Sequence, residues 1–170
     1  MIYCTPRGNK GGSDAVYELL EHAYLAEYCG ELPEIRKSIH GKPYFPDYPD
    51  IHFSLSHAMT HVLCALSGSP VGCDIESPRK ISCRVLDFFA TPEELSMFEP
   101  LELWVLKESY VKLYGRTIAS IRGLRFSREG GKIITPDVGV TARLYDIGKS
   151  GCRAAVCCLD EIIPDSVLLI

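Results

Sequence analysis

Two stretches of helical periodicity, each followed by short alternating segments, constrain this chain more than any other feature. In the first, Val16, Leu19, Leu20, Ala23 and Tyr24 recur at helical spacing, with Ser13 placed to cap the start and Gly30 to end it. Ile51, Phe53 and Leu55 then alternate with polar residues, HVLCALS (61–67) continues as a mostly apolar strand, and VGCDIE (71–76) follows the turn GSP. In the second, Leu103, Leu106, Tyr110 and Leu113 form one apolar stripe of a helix over about 101–114, closed by Gly115. Thr91-Pro92-Glu93-Glu94 reads as a further helix start, with Thr91 and Glu94 as a capping box. Turn signals at Glu129-Gly130-Gly131, Pro136-Asp137 and Lys149-Ser150-Gly151 punctuate four or so short strands beyond it. A short strand over 2–4 opens the chain, and the Pro-rich, basic segment EIRKSIHGKPYFPDYPD (34–50) reads as loop or short helix. Helix then strands, twice over and without a repeat of fixed period, predicts an α+β fold.

At 170 residues the chain is one domain, or two small halves packed as one unit, with 46% apolar and 24% charged residues as in soluble globular proteins. No apolar run approaches a membrane span, and MIYCTPRGNKGG lacks a basic region followed by an apolar run, so a cytoplasmic protein is expected. The eight cysteines are scattered among hydrophobic segments without a CxxC pair, and read as reduced, mostly buried thiols. A net charge of −4 argues against a general nucleic-acid binder.

The chemistry concentrates in four short pieces. Side chains two apart in a strand share a face, about 6.5 to 7 Å apart, so Asp74 and Glu76 point together while Cys73 and Ile75 face the core. Two such carboxylates either sit solvated at a strand end or share a hard cation such as Mg²⁺. In the second long helix, Trp104, Glu108 and Lys112 are spaced at four and lie on one face. They form a surface ion pair, or else bring a third acid and an ammonium to the strand acids. Ser56 and His57 close the strand motif HFSLSH, where polar side chains can face a ligand or simply solvent. Arg36, Lys37, His40 and Lys42 cluster beside Pro43, as a solvated face or as a site for a phosphate dianion.

Ordered together, GKP (41–43), FSLSH (53–57), VGCDIE (71–76), FFATPEE (88–94) and WVLKESYVK (104–112) resemble the 4′-phosphopantetheinyl transferase superfamily, particularly its longer, single-chain type that activates peptide synthetases. The resemblance implies two similar α/β halves related by a pseudo-twofold axis, an N-terminal half over 1–70, shorter than usual, and a C-terminal half over 71–170 carrying a metal site. Coenzyme A would lie in the cleft between them. It implies Mg²⁺, with Mn²⁺ as a substitute, on Asp74, Glu76 and Glu108. Lys112 would contact the pyrophosphate, Ser56 and His57 the nucleotide phosphates, with His57 on the 3′-phosphate, and Lys42 and Pro43 the adenine nucleotide. Lys37 sits near a position often basic for the 3′-phosphate, and Lys107 belongs to the ligand-binding motif. Ser54 departs from the family pattern, which often has Asn there. The implied reaction moves the 4′-phosphopantetheine arm from coenzyme A to a serine of an apo acyl, peptidyl or polyketide carrier protein, with Glu108 and Lys112 catalytic. Arg79, Lys80 and Arg84 beside Leu86, Phe88 and Phe89 would suit an acidic carrier, although an ordinary helix with a buried face fits them equally. A monomer is expected, since two halves in one chain complete a cleft unaided, and neither nucleic acid nor membrane is implied. The competing reading is a catalytically silent coenzyme A or carrier-binding module of the same fold.

Overall fold

Each of the two long helices covers one face of a sheet, and the opposite faces of the two sheets bury each other. A computed structural model describes residues 1–159 and 161–170. The first half runs β1 (Ile2–Pro6), α1 (Gly12–Tyr28), β2 (Arg36–Lys37), β3 (Pro43–Tyr44), β4 (His52–His57) and β5 (His61–Ser67). The second runs β6 (Val71–Glu76), α2 (Cys83–Phe89), α3 (Pro92–Leu95), α4 (Pro100–Leu113), β7 (Ser127–Glu129), β8 (Lys132–Ile134), β9 (Val140–Ile147) and β10 (Cys152–Leu159), and β11 (Leu168–Leu169) returns to pair with β1. The main sheets are ordered β11-β1-β5-β4 and β6-β10-β9.

Without β11 the two sheets share one topology: an opening strand, a helix, then two strands of which the last pairs with the first, all antiparallel. The α+β class expected from the residues, and the two similar halves that the resemblance implies, are what the chain forms. The turn between β5 and β6 is the crossing from one sheet to the other.

Strand alternation explains the layers. Leu63 and Ala65 of β5 join Val71, Cys73 and Ile75 of β6 and Ala154 and Val156 of β10 in the central core. Val62, Cys64 and Leu66 point the other way, onto Val16, Leu19, Leu20 and Ala23 of α1. On the far side, Leu103, Leu106 and Tyr110 of α4 pack on Ala155 and Cys157 of β10. The chain therefore stacks helix, sheet, sheet, helix. Both faces of β5 are buried, which is why HVLCALS is nearly continuous in apolar residues.

Several local expectations are corrected. Helix α1 starts after Gly11 with no side-chain cap, and Ser13 lies inside it; at the other end Cys29, not Gly30, takes the left-handed cap, φ 53°. The basic segment forms neither loop nor helix throughout: Arg36 pairs with Tyr44 and Lys37 with Pro43 in a small hairpin, β2–β3, turned at Gly41 with φ 85°. The capping box of Thr91 and Glu94 is present, but α3 spans only one turn before α4.

Candidate functional site

Gly72 sets the site. A Cβ there would lie 2.0 Å from the Ser109 carbonyl oxygen and 2.3 Å from the Leu113 nitrogen. Only glycine lets the backbone of α4 rest directly on β6. That approach carries Glu108 and Lys112 over Asp74. β4 closes the other edge of β6 through side chains, not a ladder: the Cys73 amide donates to Ser54 Oγ at 2.9 Å and the Ile75 amide to Ser56 Oγ at 3.3 Å. These hydroxyls satisfy edge amides that would otherwise be buried without partners.

A cavity of about 320 Å³ opens at this seam. Its walls hold Ser56, His57, Asp74, Glu76, Trp104, Glu108 and Lys112. Strand alternation and the spacing of four in α4 thus converge as expected. Lys112 Nζ lies 2.7 Å from Asp74 Oδ1 and donates to Ser56 Oγ at 2.9 Å, while Ser56 Oγ donates to the same Asp74 oxygen at 2.7 Å. Asp74 Oδ2 is buried and has no hydrogen-bond partner. Burial, then Asp74 and Glu76 with Lys112 opposing, pushes the Glu108 carboxyl up to about 7. Burial works against the Lys112 charge, but Asp74, Cys73 and Glu108 together outweigh it and hold the ammonium above its ordinary range.

The oxygen-rich acids, the raised Glu108 and the orphaned Asp74 oxygen fit a hard cation in donor chemistry. As the side chains stand, however, no three acid, histidine or cysteine groups among the described residues are close enough to share an ion. Lys112 and Arg79 hold two of the acids instead, Arg79 Nη2 lying 3.1 Å from Glu76 Oε1.

The cavity continues along the seam. A neighbouring hollow shares Leu55 and Lys112 with it and adds His40, Lys42, Pro43 and Arg116; a third shares Lys42 and Pro43 and adds Tyr44, His52 and Tyr114. A groove therefore leads from the acids to the GKP hairpin. His57 stands at the start of α1, where a Cβ on Gly12 would come within 2.7 Å of its Nδ1.

Three expected contacts sit differently. Lys107 is fully buried and away from the groove, donating to the Phe89 carbonyl at 2.5 Å, the Leu124 carbonyl at 2.9 Å and Glu94 at 2.9 Å. All its N–H donors are used, so it ties α4 to α3 and cannot reach a ligand. Lys42 lines the groove, yet its ammonium donates to the Val71 and Leu113 carbonyls at 3.0 and 2.7 Å, stapling β6 to the end of α4. Lys37 is exposed on β2, outside the hollows along the groove. Arg116, which lies over the Tyr114 ring at 4.8 Å from its centroid, was not among the expected residues. Its only sequence signal is a basic residue just past the helix end at Gly115.

The family model described as the 4′-phosphopantetheinyl transferase superfamily matches residues 70–147, the stretch holding β6 and α4. The 4′-phosphopantetheinyl transferase Sfp of Bacillus subtilis (strain 168) is 29% identical, covering 89% of this chain and 75% of that protein. The 4′-phosphopantetheinyl transferase gsp of Aneurinibacillus migulanus is 38% identical over 58% of this chain and 46% of its own length. The ffp transferase of Bacillus subtilis is 26% identical over 77% of this chain and 65% of its own length. The paired β6 acids and the α4 glutamate and lysine thus lie in the stretch that matches the 4′-phosphopantetheinyl transferase superfamily, and over most of its length the chain is similar to proteins named 4′-phosphopantetheinyl transferases.

Proposed function

We propose that the protein transfers the 4′-phosphopantetheine arm of coenzyme A to a serine hydroxyl of an apo carrier protein and releases adenosine 3′,5′-bisphosphate. The observation that carries this reading is the convergence of Asp74, Glu76, Glu108 and Lys112 in one cavity that opens into a groove of basic and aromatic residues.

In this reading the groove holds the nucleotide, with Pro43 and Tyr114 offering flat apolar surface and His57 placed for a phosphate. Asp74, Glu76 and Glu108 would hold Mg²⁺ or Mn²⁺. Such an ion supplies charge stabilisation for the pyrophosphate as it is opened. Lys112 turns from Asp74 to the phosphate oxygens, whose negative charge grows as the bond between phosphorus and the leaving nucleotide oxygen breaks. Glu108 can also take the proton of the incoming serine as the new phosphorus–oxygen bond forms, as a positioned carboxylate does. The bond count balances: one phosphoester bond forms, one phosphoanhydride bond breaks, and the serine proton is released.

The carrier would approach over residues 79–89, where Arg79, Lys80 and Arg84 surround the half-exposed Val85 and Phe88. A silent binding module is the second reading, favoured by two observations: Lys112 already occupies Asp74, and no three acids meet among the described residues. Incubation with coenzyme A, Mg²⁺ and a panel of apo carriers separates the two. We expect a mass gain equal to the arm on at least one carrier; binding without any mass gain across the panel would leave the silent module.

A further inference from the structure

Two of the three acids are already paired with the protein's own cations, and one of those cations has no task in the chemical step. Lys112 serves Asp74 and then the phosphate. Arg79, three residues beyond Glu76, pairs with that carboxylate at 3.1 Å. Its guanidinium also lies over Trp104, 5.5 Å from the ring centroid, and Trp104 is braced edge-on by Phe89 at 5.1 Å. Trp104 and Glu76 line the acid cavity, whereas Arg79 lines a separate groove with Lys80, Leu101 and Arg153. Arg79 therefore stands at the boundary of two surfaces, with a carboxylate on one side and open space on the other.

The pair is built to be broken. Both side chains are partly exposed, 43% for Arg79 and 28% for Glu76, and exposed ion pairs are weak. A divalent ion carries twice the charge of a guanidinium and so competes well for the same carboxylate. Whichever carboxylate oxygen it takes, it must approach against the positive charge of Arg79.

We propose that Arg79 is the resident counter-ion of Glu76, and that a divalent cation must displace it to bind, turning the guanidinium off Trp104 toward the neighbouring groove. This rests on the reading of the acids as a cation site. The role differs from that of an arginine that props up a metal ligand: a prop strengthens cation binding, whereas a counter-ion opposes it.

Trp104 is the chain's single tryptophan, so its emission reports on the guanidinium directly. The protein without substrate is titrated with MgCl₂ while that emission is followed, and Mn²⁺ binding is measured separately by electron paramagnetic resonance. The wild type is expected to show a saturable emission change. Arg79→Gln is expected to bind both ions about three- to fivefold more tightly, the scale of an exposed ion pair, with most of the emission change gone. Arg79→Lys, which keeps the charge, is expected to stay near the wild-type affinity. Unchanged or weaker binding by Arg79→Gln, with its circular dichroism intact, overturns the counter-ion role while leaving the cation site standing. Absence of Mn²⁺ binding by the wild type overturns the cation site itself.

Discussion

Asp74, buried, and Glu108, half-buried, line one cavity in different surroundings. Asp74 keeps one oxygen on Ser56 and Lys112 and leaves the second without a partner, while Glu108 is raised to about 7. Asp74→Asn removes the charge but keeps the shape. It is expected to lower kcat/KM for arm transfer about 100-fold or more, the scale of losing one preorganised charge contact, with an unchanged melting profile. Glu108→Gln is expected to lower kcat by about 10²- to 10⁴-fold, the range of a lost general base. The proposed reading sets His57 against the 3′-phosphate, so His57→Ala is expected to weaken coenzyme A binding in calorimetry and to change 3′-dephospho-coenzyme A binding much less. Equal losses for both donors would remove His57 from the 3′-phosphate. These residues were legible because periods of two and four put them on one face before any fold was known. Lys107 was misread although its signal was present: it lies four after Leu103 and three before Tyr110, on the buried stripe itself, where a charge implies a paired core lysine.

Among the elements, the contact of α4 with β6 governs the site. Gly72→Ala would drive a methyl group into the Ser109 carbonyl and the Leu113 amide, neither of which can move without moving the helix. Overpacking of this severity is expected to cost about 3 kcal/mol or more, read as a shift of the urea midpoint, and to abolish transfer by lifting Glu108 away from Asp74. The α3–α4 junction depends on the buried Lys107–Glu94 pair, exposed 0% and 2% at its side chains. Glu94 is also the capping residue for Thr91 and accepts from the Phe126 amide at 3.0 Å, so Lys107→Met strands a carboxylate that three elements share. Breaking such a pair is expected to cost about 3 to 5 kcal/mol. The capping box itself was readable from Thr91-Pro92-Glu93-Glu94. Its second role was not, because Lys107 and Phe126 reach Glu94 through tertiary packing that no local spacing encodes. The β2–β3 hairpin was missed for a related reason: two-residue strands carry no periodicity, and only Gly41 marked the turn.

The whole molecule is two copies of one topology pressed sheet to sheet, and the groove follows the seam where β4 meets β6. Lys42 crosses that seam from the first half to carbonyls of the second. Burial pulls its ammonium from the ordinary 10.5 down to about 8. The unfolded chain therefore holds more protons than the folded one between about 8 and 10.5, and stability attributable to this group rises with pH across that window. The stability difference between wild type and Lys42→Met is expected to widen in favour of wild type from pH 7.5 to 9.5 in denaturant titrations; a constant difference would show that Lys42 keeps an ordinary lysine's proton affinity. The helix-then-strands order made the class readable from the residues. Which faces of the sheets met was less so, since an apolar run such as HVLCALS states that both faces are buried but not by what.

The account stands on the acids of β6 and α4 serving one reaction. Its most direct test is the mass of an apo carrier protein after incubation with coenzyme A and Mg²⁺, using the wild type and Asp74→Asn at equal concentration. The account predicts a carrier heavier by one phosphopantetheine arm with the wild type and an unmodified carrier over the same time with the variant. Equal modification by both proteins would contradict it.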